Sequence, residues 1–336
     1  MSRLGNPVTL STFTFADLFA GIGGMRIAFE SAGGVCVLTS ELDRHARDTY
    51  KAQRWKTQAG DHVYIDDVEK IARMNPGKVP DFDVMVAGFP CQPYSIAGLR
   101  EGLADAKGRG KVFLSMLSIL AKKQPKAFLL ENVKGMLSHD DGQTIRYMRH
   151  RLEQKGYRLT NSQVLNSMNH GGVPQNRERV FIVGYRDDLD VDTSEFRWPN
   201  PIQLKSSLRD VLEKSGVDEK YFYSAEKYAC FPEIEAAVKR TDTAYQWRRV
   251  YVRENKSGVC PALTANMGSG GHNVPLVRVG GRIRKLTPRE CARLQGFSEN
   301  FILPPGMADS HLYHQFGNSV TVPLIRRVAR EVVKFI

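Results

Sequence analysis

The raw materials of a membrane span, a disulfide framework and a secretory leader are all scarce in this chain. Its 336 residues contain no apolar run approaching the ~20 residues that cross a bilayer, so no membrane partner is expected. Five cysteines, an odd number at irregular spacing, give no disulfide framework and predict reduced thiols. The opening Met1-Ser2-Arg3-Leu4-Gly5-Asn6-Pro7 has neither an apolar core nor a small-residue cleavage site, so the expected location is the cytoplasm. No internal repeat or low-complexity tract occurs, and no metal site is expected. Acidic residues are also in deficit, 36 against 48 Lys and Arg, which leaves a net charge of +12. Such an excess favours a polyanionic partner.

The excess is unevenly placed. Lys and Arg outnumber Asp and Glu 25 to 18 over residues 1–185, 15 to 14 over 186–283, and 8 to 4 over 284–336. If nucleic acid binds, the flanking parts supply much of the phosphate attraction and the near-neutral middle contributes shape or base-edge contacts. The same divisions appear in the pattern. Up to Tyr185, short apolar runs (Phe13–Phe19, Val35–Thr39, Val84–Ala87, Ala127–Leu130, Val180–Tyr185) alternate with helical stretches near Val112–Lys122 and Gly142–Lys155. This alternation predicts an α/β fold, a mostly parallel sheet with helices on both faces and ligands at the carboxyl ends of its strands. Residues 186–283 are richer in Pro and Gly and read as a separate lobe of short strands and loops. Helical regularity returns at Thr287, a plausible N-cap with Pro288 first and Glu290 third in the helix, and ends in an amphipathic stretch from Val322 to Ile336.

What the chain does hold is a set of chemical residues at strand ends. Cys91 sits in Gly88-Phe-Pro-Cys-Gln, directly after an apolar strand. A free cysteine is more often a packed small hydrophobe, but Pro90 fixes the backbone before it and a polar, glycine-rich stretch follows, as in a lid over a reactive group. Cys91 is therefore read as a nucleophile. Glu131, in Leu129-Leu-Glu-Asn-Val, ends a buried strand beside it, where burial raises a carboxyl pKa toward proton donation. Arg177 and Arg179 lie two apart at the start of the next strand, where they could hold a carbonyl oxygen, orient Cys91, or serve as salt-bridge partners. Asp17-Leu-Phe-Ala-Gly-Ile-Gly-Gly has the strand–glycine turn–helix arrangement of a nucleotide-cofactor site but fails the dinucleotide fingerprint at Arg26. Glu41 could accept from ribose hydroxyls and Asp67 from an adenine amino group. In the middle lobe, Trp247-Arg-Arg-Val-Tyr-Val-Arg interleaves aromatics with base.

The order Asp17-Leu-Phe-Ala-Gly-Ile-Gly-Gly, Gly88-Phe-Pro-Cys-Gln, Glu131-Asn-Val, Gln175-Asn-Arg-Glu-Arg, Arg284-Lys-Leu-Thr-Pro-Arg-Glu-Cys-Ala-Arg-Leu-Gln-Gly-Phe and Gln315-Phe-Gly-Asn-Ser-Val strongly resembles the bacterial DNA (cytosine-5)-methyltransferases. The resemblance implies an S-adenosylmethionine-dependent, Rossmann-like mixed sheet formed by 1–185 and 284–336, with a target recognition domain inserted at 186–283. It implies S-adenosylmethionine as cofactor, held by Phe19, Gly21, Ile22, Gly23 and Gly24, by Glu41, Leu42 and Asp67, and by Pro90, Asn318 and Ser319. Leu42 stands where some members carry an aromatic ring. Catalysis would rest on Cys91, Glu131, Arg177 and Arg179, acting on a cytosine flipped out of double-stranded DNA. DNA contacts would come from Gln92, Ser95 and Arg109 on the lid 92–111, and from Arg248, Arg249, Arg253, Thr264 and Asn266 in the lobe. A monomer working beside a restriction endonuclease is the expected setting. Two other readings are an RNA cytosine-5 methyltransferase and a catalytically inactive DNA-binding relative; Gly88-Phe-Pro-Cys-Gln, in place of Pro-Pro-Cys-Gln, and the long insertion favour DNA.

Overall fold

The computed structural model describes residues 12–55, 62–90, 111–255, 258–269 and 273–336. Its first half is built on strands β1 (Phe13–Leu18), β2 (Gly34–Ser40), β3 (Val63–Ile65), β4 (Val84–Gly88) and β5 (Ala127–Val133). After these come β6 (Tyr157–Leu159), β7 (Gln163–Asn166), the short β8 (Gln175–Asn176) and β9 (Glu178–Arg186). The large sheet runs in the order β3-β2-β1-β4-β5-β9-β6, with β7 also paired to β9. β1 to β5 pair in parallel, whereas β9 is antiparallel to β5, β6 and β7. The sheet is therefore mixed, as the resemblance implies, with the parallel half β1–β5 joined to an antiparallel part around β9. Strands of three and four residues such as β6 and β7 carry too few alternations to stand out as strands in sequence.

Sequence explains the layering. Val84-Met-Val-Ala is wholly buried, as a central strand covered on both faces must be. On one face, Met85, Ala87, Phe128 and Leu130 pack with helices Val68–Arg73, Lys111–Lys123 and Gln143–Glu153. On the other, Val84, Val86, Leu129 and Phe181 pack with helices Gly24–Glu30 and Val322–Val332, joined by Val191, Phe196 and Trp198. The C-terminal helix thus closes the face begun by the first one.

A second sheet of four strands holds β10 (Tyr245–Trp247), β11 (Val252–Glu254), β13 (Leu276–Val279) and β14 (Arg282–Lys285), in the order β11-β10-β13-β14. Its small core gathers Ile234, Val238, Tyr245, Leu276 and Ile283. Between its hairpins, β12 (Cys260–Pro261) pairs in parallel with β8 and fastens this lobe to the first half. Thr287 caps the helix Pro288–Leu294 as its sequence predicts: its hydroxyl accepts from the Glu290 N–H, and Glu290 accepts from the Thr287 N–H in return. Glu290 also takes both guanidinium nitrogens of Arg284, at 2.6 and 2.8 Å, in a fully buried pair.

Candidate active site

A cavity of about 360 Å³ opens where the parallel strands end. Directly after β1, Phe19 takes a left-handed backbone, φ +57°, which is costly for an aromatic residue and marks a constrained position. Gly21, at φ +55°, turns its N–H to Oε2 of Glu41 at 2.7 Å. Oε1 of Glu41 accepts from the Asp43 N–H at 2.8 Å. Burial raises the Glu41 carboxyl pKa, and these main-chain donors oppose the rise. Each oxygen keeps a further lone pair for ligand hydroxyls. Asp67, after β3, accepts from the Glu69 N–H at 2.8 Å and so caps the helix it precedes. Asp67 and the 69 % exposed Leu42 line the same cavity.

Ile22, Gly23 and Gly24 lie beneath this wall. Ile22 is buried in the core below. A Cβ on Gly23 would fall 2.2 Å from the Trp55 ring, and one on Gly24 2.8 Å from the Val320 side chain. Of this turn, Phe19 and Gly21 line the cavity, and Gly23 and Gly24 permit its close seating. Deeper still, both carboxylate oxygens of Asp17 are buried with no hydrogen-bond partner among the described residues. Burial raises its pKa to about 8 against the pull of the Arg26 charge.

At the other end of the cavity, the antiparallel register of β5 and β9 sets Val133 opposite Arg179. Arg179 Nε then stands 3.1 Å from Oε1 of the buried Glu131. Burial pushes the Glu131 carboxyl above its usual range, opposed by Arg179 and then Arg177. The neighbouring Asn132, absent from the expected site, donates to the Phe89 carbonyl at 3.0 Å and accepts from the Val133 N–H at 2.8 Å. It pins Phe89 and Pro90, which line the cavity. Cys91, Gln92, Ser95 and Arg109 lie outside the described residues.

Arg177 is more than a neighbour of this pair. Its fully buried guanidinium donates to the carbonyls of Leu263 at 2.7 Å, Gly317 at 3.2 Å and Ser319 at 2.7 Å. Its Nε has no partner among the described residues. Arg177 thereby clamps β8–β9, the segment after β12 and the end of helix Asp309–Asn318 together. That helix adds His314, Gln315, Gly317 and Asn318 to the cavity wall. The Ser319 hydroxyl instead turns to the Val320 carbonyl, 3.2 Å away. His314 carries no motif signal beyond lying one residue before Gln315-Phe-Gly-Asn-Ser-Val.

The expected DNA contacts fall in two places. Arg248 and Arg249 form the exposed tip of the β10–β11 hairpin with Val250, 86 % exposed, and Tyr251; Arg253 follows on β11. Thr264 and Asn266 are exposed on the short turn Ala265–Gly268 and the residue before it, a segment seated on helix Asp309–Asn318.

A family model for C-5 cytosine-specific DNA methylases matches residues 13–334. The chain belongs to this family. It is 44 % identical over 321 residues to the type II methyltransferase M.Bsp6I of Bacillus sp. (strain RFL6), covering 95 % of this chain and 98 % of that one. M.HpaII of Haemophilus parainfluenzae is 36 % identical over 347 residues (98 % and 91 % covered), and M.HhaI of Haemophilus parahaemolyticus 33 % over 330 (96 % and 95 %). The fold is that of the S. pombe Dnmt2 methyltransferase, with a TM-score of 0.70 at 17 % identity over 96 % of this chain and 99 % of that one. A Spodoptera frugiperda DNMT2 variant gives the same TM-score at 20 % identity, covering 95 % and 99 %. The C-5 cytosine-specific DNA methylase described here is a DNA (cytosine-5)-methyltransferase that uses S-adenosylmethionine. Its cavity suits that methyl donor: carboxylates on one wall can accept from hydroxyl and amino groups, an aromatic ring stands beside them, and Gly88 leaves an approach where a Cβ would come within 3.4 Å of Glu131 Oε2.

Proposed function

We propose that this enzyme methylates one cytosine within a short duplex sequence through a covalent Cys91 adduct on a flipped-out base, and that it protects DNA from a partner endonuclease. The observation that carries the reading is the Glu131–Arg179 ion pair, buried in the cavity wall where Pro90 leads the chain into Cys91.

A cytosine ring needs activation before carbon 5 becomes nucleophilic. Attack by the Cys91 thiolate on carbon 6 pushes the 5,6 double-bond electrons toward carbon 5, while Glu131 delivers a proton to ring nitrogen 3 and Arg179 binds the carbonyl oxygen. S-adenosylmethionine supplies an electrophilic methyl group on a sulfonium. Carbon 5 would take the methyl as the sulfonium carbon–sulfur bond breaks and leaves a neutral thioether; nitrogen 3 returns its proton to Glu131, a base removes the carbon-5 proton, and the returning electrons expel Cys91 as thiolate. The raised Glu131 pKa supports its role as acid. The Arg177 charge, with an Nε that has no partner among the described residues, supports its role in lowering the thiol pKa. Phe19 and Gly21, seated on Ile22, Gly23 and Gly24, form the cofactor end with Glu41, Leu42, Asp67, Pro90, Asn318 and Ser319, Glu41 meeting the ribose and Asp67 the adenine.

Residues 186–283 act as the target recognition domain, reading bases or phosphates through Arg248, Arg249, Arg253, Thr264 and Asn266, while Gln92, Ser95 and Arg109 contact DNA from the lid. The endonuclease pairing is supported by the type II methyltransferase names of the relatives. A cytoplasmic monomer is the proposed working form. In its support, no described helix is long and apolar enough to cross a membrane, and large exposed apolar side chains among the described residues are few: Leu42, Ile202, Val250 and Tyr251.

Bisulfite sequencing of a methylation-free bacterial host expressing the wild-type chain or Cys91→Ser tests the reading. Protected cytosines in one short motif, absent with the mutant, are expected. Unprotected DNA together with a methylated transfer RNA would replace it with the RNA reading.

A further inference from the structure

The segment Ala265–Gly268 is seated on helix Asp309–Asn318 as closely as two backbones allow. A Cβ on Gly317 would lie 2.1–2.3 Å from the Thr264 and Ala265 backbone, and one on Gly268 would lie 2.4 Å from the Ser310 carbonyl and 3.0 Å from His314 Cβ. One side chain bridges this seam to the cavity. His314 Nδ1 lies 3.3 Å from the Ala265 carbonyl oxygen, and its Nε2 lies 3.0 Å from Nδ2 of Asn318. His314 and Asn318 both line the cavity.

Hydrogen-bond chemistry fixes the direction of each bond. A carbonyl oxygen only accepts, so Nδ1 carries the proton and donates to Ala265. Nε2 then accepts from the Asn318 amide nitrogen, 3.0 Å away. With its nitrogen engaged, the Asn318 amide oxygen has no partner among the described residues and can accept from the amino or hydroxyl groups of a ligand. We propose that His314 is a positioning residue for the cofactor: held by the Ala265 carbonyl of the recognition segment, it sets the orientation in which Asn318 meets S-adenosylmethionine. This rests on the reading of Asn318 as a cofactor contact.

Two substitutions divide the imidazole into its halves. His314→Gln places an amide oxygen where Nε2 was and retains an acceptor for Asn318. His314→Asn places an amide nitrogen where Nδ1 was, retains a donor for Ala265 and loses the Asn318 bond. Calorimetric titration of each variant and of Asn318→Ala with S-adenosylmethionine, alongside thermal melts, tests the proposal. Asn318→Ala is expected to weaken binding about tenfold and His314→Asn about fivefold, the scale of one lost hydrogen bond, whereas His314→Gln, which keeps the Asn318 bond and gives up the Ala265 anchor, weakens it about twofold. If Asn318→Ala weakens binding but both His314 variants bind like wild type, His314 does not position Asn318 and the cofactor reading stands. If both His314 variants weaken binding equally and melt early, the role is structural and the proposal falls. If Asn318→Ala binds as wild type, the cofactor reading of Asn318 fails and takes the proposal with it.

Discussion

The strand-end cavity and the β10–β11 hairpin tip are opposite ways of presenting charge. In the cavity, Glu131, Arg177 and Glu41 are buried or nearly so, and each is held by main-chain or side-chain partners that leave little freedom. At the tip, Arg248 and Arg249 stand in solvent beside exposed Val250 and Tyr251, and the Arg248 guanidinium reaches Gln246, at 3.3 Å. Burial in the first region shifts proton affinities and suits chemistry. Exposure in the second leaves side chains able to adapt to a ligand's surface, as DNA reading requires. The two regions should therefore fail differently when altered.

Glu131→Gln gives the largest expected effect. It removes the proposed acid while keeping the shape, so kcat should fall by about 10²–10⁴ with DNA affinity unchanged, measured by methyl-transfer kinetics and gel-shift titration in parallel. A parallel loss of DNA binding would show that the cavity and the reading surface are one energetic unit.

Asp17, on the rigid side, gives the next effect. Its folded pKa of about 8 exceeds the ordinary 3.8. Its stabilising contribution is thus complete below about pH 4 and is lost as pH rises through 8. Asp17→Asn removes this dependence, so urea unfolding should show its stability relative to wild type improving between pH 4 and 8, by on the order of 2–5 kcal/mol. A difference constant across that range would mean that Asp17 does not titrate there.

Gly317→Ala strikes the seam between the regions. Its Cβ has no room against Thr264 and Ala265, so a cost of about 1–3 kcal/mol in stability is expected, with weakened cofactor and DNA binding together. Smallest is the double change Arg248→Ala, Arg249→Ala. Stability should stay within about 0.5 kcal/mol, while the slope of log affinity against log salt falls by up to ~2 if both residues meet phosphates.

The contrast also shows what sequence could carry. Strand ends were legible because apolar runs stop abruptly at Asp17-Leu-Phe, Glu41 and Glu131-Asn, and a cap such as Thr287 with Glu290 is written within four residues. The antiparallel β9 was not, since direction depends on the path taken by β6 and β7. The Arg177 clamp was illegible for the same reason: its carbonyl partners lie 86, 140 and 142 residues away. His314 escaped notice because its partners, Ala265 and Asn318, meet it only once the lobe is docked. How Ile22, Gly23 and Gly24 are seated was not legible either, because a glycine turn looks alike whether its space opens above to a cavity or closes below on Trp55 and Val320.

The most direct test of the covalent mechanism is trapping on duplex DNA amplified with 5-fluorocytosine, where fluorine at carbon 5 blocks the final elimination. With S-adenosylmethionine, the wild-type chain should form a protein–DNA band stable to denaturing electrophoresis, and Cys91→Ser should form none. A wild-type chain that methylates unmodified DNA yet leaves no such band, or a band that persists in Cys91→Ser, would contradict the account.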